Sequence, residues 1–113
     1  MARNHLPLDH YEARKVLMPG PDGTGQLEAI RITVFGPYFP QRAIAPDLMV
    51  GGVSAERVSV SADQRRLEGY LRHLPGATAA ICVRYGDSLE GRLEEPLSRE
   101  RIRPLPNHCG DER

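Results

Sequence analysis

With 113 residues, the chain has room for one domain core of ordinary size and not for two. Its 15 Lys+Arg balance its 15 Asp+Glu, so no net field draws in a nucleic acid or an anionic membrane. Aromatic residues are 5% with no Trp, which leaves an aliphatic core, and 10 Pro and 11 Gly lying between apolar runs argue against a helical bundle.

In chain order, residues 1–12 show no apolar period, and a flexible N-terminal arm is expected over residues 1–13. The run Arg14-Lys15-Val16-Leu17-Met18, stopped by Pro19, reads as an edge strand. Gly20-Pro21-Asp22-Gly23-Thr24-Gly25 reads as a turn. The clearest strand spans residues 30–36, where Ile30, Ile32 and Val34 fall on one face and Arg31 and Thr33 on the other. Gly36-Pro37-Tyr38-Phe39-Pro40 must leave the sheet, because its two prolines lack donors and fix φ. Residues 41–46 connect to a strand at 47–50, ended by Gly51-Gly52. Within residues 53–61, Val58 and Val60 alternate with serines in a strand near a sheet edge.

Residues 66–71 alternate as a strand with Leu67 and Leu71 inward, although Leu67, Leu71 and Leu74 also suit a helix. Ala79, Ile81, Val83 and Tyr85 mark the inward face of a long strand that ends at Gly86-Asp87. Either residues 89–93 or residues 101–105 supply the last strand, and residues 106–113 are expected to be a flexible tail. The fold class expected for residues 14–105 is all-β: a sandwich of two antiparallel sheets with about seven strands.

Several of these stretches resemble the IPT/TIG domains, a family of immunoglobulin-like folds. Residues Ile30-Arg31-Ile32-Thr33-Val34-Phe35-Gly36-Pro37-Tyr38-Phe39 are similar to the family's strand ending in glycine and a nearby phenylalanine. Val50-Gly51-Gly52, Leu74-Pro75-Gly76 and Val83-Arg84-Tyr85-Gly86 follow in the family's order. The resemblance covers residues 16–93 and implies an immunoglobulin-like fold and a tendency to bind macromolecules; it implies no reaction.

Candidate chemistry is thin. His5, His10, His73, His108 and Cys109 lack zinc-motif spacing, so no metal or other cofactor is expected. The glycines at 20–25 lack the Gly-Lys-Ser/Thr ending of a phosphate loop, and no Gly-x-Ser-x-Gly occurs. Cys82 sits between Ile81 and Val83 with no basic partner beside it in sequence and reads as structural. Glu94-Glu95 reads as a solvated loop. Arg99, Arg101 and Arg103 would form a positive stripe if extended, offset by Glu94, Glu95 and Glu100 and without the stacking aromatics of a nucleic-acid groove.

The outward faces say more. Met49, Ala80 and Cys82 fall outward on strands that are neighbours in an immunoglobulin-like sandwich, and would form an apolar patch that marks an interface if the last strand enlarges it, the alternative being a small patch covered by the chain's own arm or tail. The expectation is therefore a non-enzymatic protein-interaction or structural module, with a homodimer through that face. It takes no nucleic acid and no membrane, and with no apolar leader segment it reads as cytoplasmic. The alternative is a carbohydrate-binding accessory module whose surface aromatics would be Tyr38, Phe39 and Tyr70, with Tyr11 as a further candidate.

Overall fold

A computed structural model describes residues 4–20, 23, 25–86 and 88–105. Among them the chain forms β1 (Asn4–His5), β2 (His10–Pro19), β3 (Gln26–Phe35), β4 (Asp47–Val50), β5 (Val53–Ser54) and β6 (Glu56–Val60). It continues with β7 (Arg66–Leu71), β8 (Thr78–Ala79), β9 (Ile81–Tyr85), β10 (Leu89–Arg92), β11 (Leu97–Ser98) and β12 (Ile102–Arg103). A first five-stranded sheet has the order β1-β10-β9-β4-β5 and a second has the order β12-β2-β3-β7-β6, with a two-residue ladder of β8 and β11 beside them.

The alternation of β3 sets its environment. Ile32 and Val34 are fully buried while Arg31 and Thr33 are half-buried on the opposite face, and β3 pairs with β2 along its whole length and with β7 from Ile30 to Phe35. Leu67 and Leu71 of β7 are buried, so residues 66–71 take the strand reading and not the helical one. In the first sheet Leu48 and Val50 of β4 lie opposite Val83 and Ile81 of β9. All of these side chains belong to one hydrophobic cluster with Ile32, Val34 and Leu67, so both sheets feed a single core. Burying an aliphatic side chain of this size contributes ~1.5–3 kcal/mol relative to leaving it in water. Gly69 permits the close approach: a Cβ there would stand 3.0 Å from Leu48 Cδ2 and 3.0 Å from Ala55 Cβ.

Ala55 is where the chain changes sheets. Val53 and Ser54 pair with β4 in the first sheet, the Ala55 N–H donates to Leu48 O at 2.8 Å, and Glu56 opens β6 at the edge of the second. The expected edge strand within 53–61 is thus two short strands in different sheets. A register shift between Glu56 and Ser59 coincides with the left-handed backbone of Arg57, φ 54°, and marks a bulge.

The ends of the described chain depart most from expectation. Strand β2 begins at His10, not residue 14, and the arm before it is built into the fold. Asn4 and His5 pair in parallel with β10, and Leu6 is buried against Gly91, where an added Cβ would meet Leu6 O at 2.2 Å and Leu8 Cγ at 3.0 Å. Both candidate last strands form: residues 89–92 pair with β9, and Ile102–Arg103 run parallel to β2. Each five-stranded sheet is therefore mixed and not purely antiparallel, and the strands outnumber the seven expected because five of them are only two residues long, at sheet margins or in the small ladder. Residues 1–3 and the expected tail 106–113 lie outside the described residues, as do residues 21, 22 and 24 of the 20–25 turn.

Candidate interaction surface

Met49 and Cys82 meet as the sequence implies, directly opposite one another on the outer face of the first sheet. The rank they share continues to Ser54 on one side and Arg92 on the other. Ser54 Oγ donates to Met49 Sδ at 3.2 Å. Ala80 lies just before β9 and is exposed, its carbonyl accepting the Gly51 N–H at 2.9 Å. The last strand does not enlarge the apolar patch, because β10 turns Glu90 and Arg92 outward. Cys82 Sγ donates to Glu90 Oε2 at 3.3 Å, and Arg92 lies 3.9 Å from the same oxygen. Burial, then the neighbouring carboxylate, pushes the Cys82 thiol above its ordinary pKa, so it is not an activated nucleophile.

At the end of the molecule where β3 runs out, the connection 36–46 is fixed at several points. Phe39 is fully buried, its N–H donating to Gln64 O at 2.8 Å while Gln64 Nε2 donates to Phe39 O at 3.2 Å. Gln64 holds this position with φ 60°, in a turn where Ser61 Oγ donates to Asp63 Oδ1 at 2.5 Å. That hydroxyl, then the Arg65 N–H, holds the Asp63 carboxyl below its ordinary range. Tyr85 OH donates to Pro40 O at 2.8 Å, and burial pushes its pKa up to about 12. Arg42 lies over the Tyr85 ring, 5.2 Å from its centroid, and donates to Ser88 Oγ at 3.2 Å, while Gln41 Nε2 donates to Ser61 O at 3.0 Å. From this anchored frame Ile44 projects with 83% of its surface exposed and Tyr38 with 56%. Arg42, Ile44 and Tyr85 border a depression of about 360 Å³.

The three proposed surface aromatics do not form a platform. Phe39 is in the core, the reverse of its expected placement, because Gly36 leaves room for its ring: a Cβ on Gly36 would stand 3.2 Å from Phe39 Cζ. Tyr70 is half-buried on the outer face of the second sheet, between Arg31 and Glu56. Tyr11 is buried and donates to Pro96 O at 2.8 Å.

His5 and His10 border one crevice of about 540 Å³, yet His10 stacks on Phe35 at 4.5 Å, and among the described residues no group of three His, Cys, Asp or Glu side chains is placed to hold a metal. His108 and Cys109 lie outside those residues. The arginines at 99, 101 and 103 form no stripe, since residues 99–101 make a 3-10 turn; Arg101 pairs with Glu95, and Arg103 joins the second sheet.

Ile44 and Gln64 escaped the sequence reading. An isoleucine between two alanines in a proline-bounded connection was a visible signal for the first, whereas nothing local marks Gln64 as the anchor of Phe39. No helix among the described residues is long and apolar enough to cross a membrane. No protein-family model, curated protein or solved structure matches the chain.

Proposed function

We propose that the chain is an immunoglobulin-like β-sandwich of the IPT/TIG kind, that it works as a protein-interaction or structural module without catalysis of its own, and that the 36–46 connection is its partner-facing end. The fold part of this reading is supported by two five-stranded sheets that share one core. The observation that carries the functional part is the anchored connection with Ile44 and Tyr38 left in water. Ordering a loop on binding costs ~1–2 kcal/mol per residue in backbone freedom, and a loop already fixed from both sides avoids most of that cost. A large apolar side chain held out on such a frame has the character of an interface anchor.

The test uses the wild-type chain and an Ile44→Asp variant as baits in parallel, followed by titration of any captured protein after purification. The expected result is an affinity lowered by about tenfold or more by Ile44→Asp, with an unchanged melting temperature. A purified partner that binds both forms equally would remove the 36–46 end from the reading.

A further inference from the structure

The two outward sheet faces distribute charge in opposite ways. On the first sheet one rank runs Asp47, Arg84 and Glu90 across adjacent strands, so that opposite charges alternate. On the second sheet like charges are gathered. Arg103, Arg14 and Arg31 are direct neighbours across β12, β2 and β3, an arrangement that by itself destabilises a sheet, and the rank continues through Tyr70 to Glu56, which pairs with Arg72. The next rank on the same face holds Glu12, Thr33, Glu68 and Ser59 across β2, β3, β7 and β6. Among the described residues none of Arg103, Arg14, Arg31, Glu12 and Glu68 has an ion-pair partner. Arg14, Arg31, Thr33 and Glu68 are half-buried, lying against the sheet, so little side-chain freedom remains to be lost on docking.

We propose that this face is the docking site for a second copy of the chain. The two-fold axis lies in the plane of the face, runs across the strands and passes between the two ranks. It reverses strand direction, so each arginine rank lies over the other copy's glutamate rank. Arg14 then faces Glu12 of the second copy, and Arg31 reaches Glu68 one strand spacing away, about 4.8 Å. A two-fold axis along the strands through β2 would set every arginine on an arginine, and one through β3 would set Arg31 on Arg31, so the charges disfavour it. The contact is isologous and closes at two copies. The 33 residues of these five strands, at about 4.8 by 3.4 Å each, give a face of roughly 540 Å², or ~1,100 Å² over both copies, just above the ~1,000 Å² that a specific interface needs.

Sedimentation velocity of the full chain over about 1 to 200 µM, bracketing a micromolar affinity, reads the outcome. Wild type is expected to dimerise, with the dimer weakened as salt is raised. Arg14→Glu with Arg31→Glu makes the face acidic, and Glu12→Arg with Glu68→Arg makes it basic. Each double variant is expected to sediment as a monomer, with its dissociation constant raised by about a hundredfold or more, and an equimolar mixture is expected to restore a dimer. Circular dichroism confirms that each variant is folded, and the mixture reports on the interface even if one variant is less stable. A wild type that stays monomeric, a dimer that survives either double variant, or variants that fail to combine would overturn the proposal. A dimer lost on Met49→Asp would overturn it in favour of the first sheet. Ile44→Asp is expected to leave the dimer intact, which separates this result from the test of the 36–46 end.

Discussion

Substituting Gly91 by Ala tests how the N-terminal arm is held. At an ordinary strand position the change would stabilise by ~0.4–1 kcal/mol, because Ala restricts the unfolded chain. Here the new Cβ would lie 2.2 Å from Leu6 O, 3.0 Å from Leu8 Cγ and 3.1 Å from Leu6 Cβ. The nearest atom is a backbone carbonyl, so no side-chain rotation relieves the clash and the arm must move by about 1 Å or let go. Overpacking of this kind costs ~1–3 kcal/mol. Its ceiling is what the arm contributes when seated, chiefly the burial of Leu6 and the bonds from Leu6 N to Glu90 O at 2.9 Å and Asn4 N to Ser88 O at 3.1 Å.

Urea denaturation should therefore show Gly91→Ala destabilised by ~1–3 kcal/mol, and hydrogen exchange should show the Leu6 amide losing protection before the amides of β9. In a chain lacking residues 1–8 the same substitution should be neutral or slightly stabilising, since the obstructing carbonyl is gone. An equal penalty in both backgrounds, or an unchanged Leu6 amide, would refute the reasoning.

Phe39→Ala should cost ~3–5 kcal/mol by chemical denaturation, since the ring is fully buried, and should loosen the 36–46 connection as seen by faster proteolysis there. Ultraviolet titration should find Tyr85 ionising near pH 12, above its ordinary 10.0. Because its folded pKa is raised, the stability it contributes is whole below pH 10.0 and is lost as pH rises through about 12, and Tyr85→Phe should remove that component of the alkaline loss. Cys82 should react with iodoacetamide at pH 8 more slowly than free cysteine, and Glu90→Gln should speed it, because burial and then the carboxylate raise the thiol pKa. Arg57→Gly should leave stability unchanged or raise it by up to about 1 kcal/mol, since glycine takes φ 54° without a Cβ clash.

What could be read from the sequence was what a strand writes into its own residues. Ile30, Ile32 and Val34 alternate with polar neighbours, and so do Leu67 and Leu71, because one face of each strand is dry. The opposition of Met49 and Cys82 followed from the inward faces of β4 and β9. The partners of two-residue strands left no such trace: residues 101–105 read as a candidate strand and Asn4–His5 did not, yet both are placed by neighbours more than 80 residues away in the chain, Asn4 by Leu89 and Ile102 by Ala13. The switch of sheets at Ala55 was invisible for a similar reason, since Val53 and Val58 read the same whether they belong to one strand or two. Tyr38 and Phe39, adjacent between prolines, looked equivalent; Gln64, distant in sequence, takes one into the core and leaves the other outside.

The margins of the sheets bear on how the protein behaves when crowded. The outermost strands β1, β5 and β12 are each two residues long, and β6 is broken by its bulge. Strand β2 reaches past β12, but there it carries the charge of Lys15 and ends in Pro19, which has no N–H to offer. A neighbouring chain thus finds no long flat ladder to extend, and the molecule is built to resist growth into filaments even where its concentration is high.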